Sequence, residues 1–139
     1  MIKKIAHVGI ATESIGVVSE FYKLLGLEMD AVEVVKDQNV KVAMMKVGES
    51  AVELIEPLGE ESPVARFIDK RGEGIHHMTF EVEDIEAVLN RLKDSNIRLV
   101  DETPRQGAEG NLIAFIHPDS TGGVLIELCQ TQSSHEDES

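Results

Sequence analysis

Cysteine is nearly absent from this chain. The single Cys129 has no internal partner for a disulfide and suits a reducing cytosol, so a cytoplasmic protein is expected. Bases are scarce as well. Thirteen Lys and Arg against 26 Asp and Glu leave a net charge of −13, with pI ≈ 4.7. A molecule so acidic is a poor partner for DNA, RNA or an anionic membrane surface. Long apolar runs are missing too, and nothing approaches the ~20 residues that cross a bilayer. Met1-Ile2-Lys3-Lys4 leads straight into a polar-interrupted segment, so no signal peptide is expected. What remains is 139 residues, 42% of them hydrophobic, enough for a soluble globular domain with a real core.

The order of elements repeats. Ile5–Ala11 has strand character. Ser14 is placed to cap a helix running to about Leu25, with Ile15, Val18, Phe21, Tyr22 and Leu25 on one stripe, and Gly26 ends it. Apolar stretches at 31–35, 40–47 and 51–55 follow, with a tight turn at Gly48-Glu49-Ser50 and an end at Pro57. Later, Ile75–Val82 alternates as a strand and Asp84 heads a helix from Ile85 to about Lys93 that Asn96 closes. Segments 97–100, 112–116 and 124–129 supply three more strands. His7 and His77, Ile15 and Ile85, Val18 and Val88, Gly26 and Asn96 all lie 70 residues apart, and Val52-Glu53-Leu54 matches Ile126-Glu127-Leu128. Two copies of one βαβββ unit are expected within a single domain over 1–132. Module one spans about 3–58 and module two about 75–130. The connector, 59–74, starts a short helix at Ser62-Pro63 that runs through Asp69. The polar tail 133–139 reads as disordered.

Strand parity then selects side chains that share a face. Ala6, Val8 and Ile10 form one set in the first strand, leaving His7 with Ile5 and Gly9. Met78, Phe80 and Val82 form the matching set, leaving His77 with Thr79 and Glu81; His76 falls on the other side and reads as structural or as a partner of the ligands. Glu53 and Glu127 each sit in the middle of an apolar strand, where a carboxylate needs a proton, a base or a metal. A lone strand histidine is ordinarily a packed side chain, and a lone strand glutamate ordinarily faces water. Two of each at repeat-related places favour a shared divalent ion, Co, Mn, Ni, Fe or Zn, held by His7, Glu53, His77 and Glu127. Such a centre polarises a carbonyl and stabilises an enolate. Cys129 and Met44-Met45 are read as core, and His117-Pro118 as a loop feature.

The paired units, each opened by a histidine and closed by a glutamate, resemble the vicinal oxygen chelate superfamily. From Ile5 to about Gln130 the chain resembles, more narrowly, its methylmalonyl-CoA epimerase family. The match is carried by His7-Val8-Gly9-Ile10-Ala11, Glu53-Leu54-Ile55-Glu56-Pro57-Leu58, Ser62-Pro63-Val64-Ala65, Gly74-Ile75-His76-His77-Met78, His117-Pro118 and Gly122-Gly123-Val124-Leu125-Ile126-Glu127-Leu128. The resemblance implies an α+β fold: a curved, mostly antiparallel sheet around a metal site. It also implies a homodimer, a divalent cofactor with cobalt favoured, and interconversion of the (R) and (S) forms of an acyl-CoA thioester substrate through a metal-stabilised enolate. Glu127 is the implied acid/base. Some members carry glutamine at the place of Glu53, and some carry a second glutamate where this chain has Val42; Lys41, Glu49 or water stand open as its substitute. Arg105, Gly107, Gly110 and Asn111 are candidate contacts to the anionic CoA, though loop glycines are most often turn formers. The metal quartet alone is shared with glyoxalase I. A non-catalytic binding member of the superfamily is the remaining alternative.

Overall fold

The structure is a computed structural model, and it describes residues 1–132; the tail read as disordered lies outside the described residues. The elements follow in the order β1 (Ile2–Ala11), α1 (Ile15–Leu24), β2 (Glu33–Val35), β3 (Val40–Val47), β4 (Ser50–Pro57), α2 (Pro63–Arg71), β5 (Gly74–Val82), α3 (Ile85–Asp94), β6 (Arg105–Gln106), β7 (Leu112–Ile116) and β8 (Leu125–Gln130). That is βαβββ twice, with α2 between. The chain divides into two compact units, His7–His77 and Met1–Ala6 with the chain from Met78 onward.

In the His7–His77 unit the strands run β2-β3-β4-β1. β1 is parallel to β4, with Gly9 opposite Glu53. β3 is antiparallel to β4, pairing Met44 with Glu53, Val42 with Ile55 and Lys41 with Glu56. Alternation along β4 gives the sheet two different faces. Leu54 and Val52 lie under α1 with Ile15, Ala43, Met45 and Ile10. Ile55, two residues from Glu53, packs with Val40 and Ala11 against Val64 and Ile68 of α2. Glu53 and Gly9 therefore belong to the α2 face. Met45 and Leu54 are fully buried, each stabilising the fold by about 1.5–3 kcal/mol.

Local chemistry sets the helix ends. Ser14 Oγ accepts from the Val17 N–H at 3.2 Å, and Glu56 Oε1 on β4 accepts from the Ile15 N–H at 2.9 Å, so two donors of the first turn are satisfied. The inward stripe of α1 is Ile15 and Ser19, which are buried, with Val18 and Tyr22 partly buried beside them. Phe21 and Leu25, expected on it, are 57% and 63% exposed. At 100° per residue Phe21 falls about 120° round from Ile15, and Leu25 is already the C-cap. Gly26 (φ 94°) and Asn96 (φ 61°) then occupy the same left-handed position after α1 and α3.

In the other unit the order is β5-β8-β7-β6, the same as the first under the repeat. α3, capped by Asp84 Oδ1 accepting from the Ala87 N–H, buries Ile85, Val88 and Leu89 against Ala114, Ile116 and Leu128. The strand expected at 97–100 does not form. Only Leu99 bridges to Ile116. The Val100 and Asp101 N–H groups both turn to the Phe115 carbonyl, and Asp101 Oδ2 takes the Phe115 N–H at 2.9 Å. A side chain thus replaces the ladder, and pairing resumes at Arg105 opposite Ile113.

Candidate metal centre and acid/base face

Three of the four expected ligands meet in the His7–His77 unit. His7 Nε2 and His77 Nε2 are 3.1 Å apart. Glu53 Oε1 lies 3.6 Å from the first and 3.4 Å from the second. The side chains are 19%, 11% and 17% exposed for His7, His77 and Glu53, a largely sheltered triangle. Gly9 makes the triangle possible. A Cβ there would stand 2.2 Å from Cε1 of His77, so only a residue without a side chain lets that ring lie across β1.

The donor set can be tested against an ion by its edges. Two donors about 2.1 Å from one cation and about 90–120° apart are separated by about 3.0–3.6 Å. The observed edges fall in that interval, and two imidazoles with a carboxylate suit a borderline divalent ion that needs no thiolate. The outer ring nitrogen of His77 is engaged too: its Nδ1 lies 3.0 Å from His76 Nδ1. Burial first, then the neighbouring His77, pushes His76 down to about 4. It is neutral near pH 7 and able to accept the Nδ1 proton of His77, leaving the Nε2 lone pair to face inward. Phe67 of α2 holds the His76 ring edge-on at 4.9 Å. Burial raises the Glu53 carboxyl, but the His77 hydrogen bond and the His7, His77 and His76 imidazoles outweigh it, and the group sits below the usual carboxylate range.

The open candidates for a second base separate by face. Val42 is apolar and packs in the cluster of Val40, Ile55 and Ile68. Lys41 is paired with Glu56 at 3.3 Å, on the α1 side of the sheet and so turned away from Glu53. Glu49 is exposed at the β3–β4 turn.

Glu127 belongs to the other compact unit. It stands on β8 opposite Phe115 of β7, with Cys129 opposite Ile113, on the face that α3 does not cover. Its Oε1 accepts from the Thr79 hydroxyl at 2.7 Å. Burial, then Glu127 and Glu81, pushes the Cys129 thiol up to about 11, so it is not a thiolate donor near neutral pH. On β6, the Arg105 guanidinium is held by Asp101 at 3.3 Å and lies 5.2 Å over the Phe115 ring. The glycine loop is occupied with itself. The Gly107 N–H donates to the Asn111 carbonyl at 2.8 Å, Gly110 has φ 79°, and Asn111 Oδ1 accepts from the Gln132 N–H.

Known proteins resemble this chain over most of its length. Residues 6–115 match the Glyoxalase/Bleomycin resistance protein/Dioxygenase superfamily. The chain is 43% identical to YqjC of Bacillus subtilis, covering 97% of both. It is 38% identical to the ethylmalonyl-CoA/methylmalonyl-CoA epimerase of Cereibacter sphaeroides, covering 94% of this chain and 99% of that protein. Among solved structures, a methylmalonyl-CoA epimerase in complex with methylmalonyl-CoA and NH4+ superposes with TM-score 0.82 at 35% identity, covering 96% of this chain and 97% of the other.

Proposed function

Because the chain belongs to the glyoxalase/bleomycin resistance protein/dioxygenase superfamily, and within it to the methylmalonyl-CoA epimerase family, we propose that it is an isomerase that inverts C2 of methylmalonyl-CoA. The observation that carries the reading is the His7–Glu53–His77 triangle of donors 3.1 to 3.6 Å apart in a chain of that family. These three residues, with Glu127 as a fourth ligand, would hold a divalent ion, cobalt favoured by the family. When bound, the ion supplies Lewis acidity, drawing charge toward the thioester carbonyl.

The protein's own groups do the rest. Glu127 takes the C2 proton; the C–H electron pair moves into the C1–C2 bond, and the charge gathers on the thioester oxygen as an enolate. A proton returned to the opposite face of C2 completes the inversion, so the reaction wants a second acid on that side. Lys41 is paired with Glu56 on the other face of the sheet from Glu53, Glu49 is exposed at the β3–β4 turn, and Val42 has no ionisable proton, so the second donor in this reading is water. Arg105, pinned by Asp101 and Phe115, meets the anionic CoA, while Gly107, Gly110 and Asn111 build the loop beside it. The protein acts as a homodimer in the cytoplasm, where Cys129 stays reduced; no helix among the described residues is long and apolar enough to cross a membrane.

The test is incubation of the metal-loaded protein with (S)-methylmalonyl-CoA in deuterated water. Label at C2 and loss of optical rotation are expected together, with no turnover of the glutathione hemithioacetal of methylglyoxal. Turnover of the hemithioacetal alone would replace this reading with glyoxalase I.

A further inference from the structure

Thr79 is 2% exposed, a degree of burial at which a hydroxyl must find a partner. On β5 it reaches the neighbouring β8, where its Oγ1 donates to Glu127 Oε1 at 2.7 Å. An O–H bonded to a carboxylate is among the stronger hydrogen bonds available to a protein. Threonine is also stiff at χ1, so the donor points in one direction and the carboxylate is held by it. Phe115 lies opposite Glu127 across the ladder. We propose that Thr79 is a positioning residue for Glu127: it engages Oε1, orients the carboxylate, and leaves Oε2 as the oxygen that takes the C2 proton. This role rests on the acid/base reading of Glu127 given above.

The experiment compares the wild type with Thr79→Val and Thr79→Ser. It measures kcat and KM for C2 hydrogen exchange, and Co(II) affinity by competition with a chelator. Thr79→Val keeps the shape and removes the donor; Thr79→Ala replaces it should the valine variant not fold. The donor-less variant is expected to lose about 10–100-fold in kcat with KM changed by less than about threefold, and about tenfold in Co(II) affinity. Thr79→Ser is expected to return both to within about threefold of wild type. A loss in either readout that serine restores supports the role. A donor-less variant equal to wild type in both, or a serine variant as impaired as the valine one, overturns it. A wild type that exchanges no C2 hydrogen would instead sink the epimerase reading, and the Thr79 role with it.

Discussion

A metal-binding histidine is useful only if the correct nitrogen carries the lone pair. For His77, a ligand in the proposed site, that choice would fall to His76, whose Nδ1 sits 3.0 Å from the His77 Nδ1 and whose ring packs edge-on against Phe67. The two histidines should therefore fail differently. His77→Ala is expected to abolish measurable Co(II) binding, whereas His76→Ala should weaken it about tenfold, as loss of an outer partner does; chelator competition distinguishes them. Equal losses would make His76 a ligand in its own right. That His7, Glu53 and His77 come together was legible in the sequence because the repeat brought their counterparts into register. His76 was legible only as structural or as a partner of the ligands, because parity sends neighbours to opposite faces; ring rotation brings the two Nδ1 atoms together. Thr79 lay on the right face by parity, but a hydroxyl carries no periodic signal that separates a partner of Glu127 from an ordinary strand threonine.

At the scale of elements, the site depends on how closely β1 and the His77 ring approach. Gly9 is the position where that closeness is decided. Gly9→Ala places a methyl 2.2 Å from His77 Cε1, so the ring must move off the strand. We expect a loss of about 1–3 kcal/mol in urea unfolding, as for overpacking generally, together with weakened Co(II) binding. Unchanged stability and affinity would show that β1 yields instead. Helix starts were legible because their caps are side chains with one job: Ser14, Ser62 and Asp84 each accept a backbone N–H of the first turn. The strand expected at 97–100 was misread because periodicity says nothing about Asp101, whose carboxylate takes the Phe115 amide that a partner strand would need.

At the scale of the whole molecule, the surplus of acid works against the proposed substrate. A net charge of −13 repels a polyanionic thioester over distances comparable to the Debye length, about 10 Å at 0.1 M salt. Raising sodium chloride from about 10 to about 150 mM should therefore increase kcat/KM for methylmalonyl-CoA, by screening the repulsion that slows encounter. A decrease would mean that Arg105 and its surroundings dominate the field the substrate meets. The duplicated βαβββ order, visible from the 70-residue spacing, agrees with the strand orders β2-β3-β4-β1 and β6-β7-β8-β5.

One compact unit begins at His7 and ends at His77, and those two rings touch. An ion gripped by both is a clasp on a closed necklace of chain. In the unfolded polymer the same grip would require gathering two distant beads, an entropic toll on the order of 4 kcal/mol for a loop of this size. A cation bound in the proposed site would therefore favour the folded chain through the clasp itself, tying its retention to the stability of the unit.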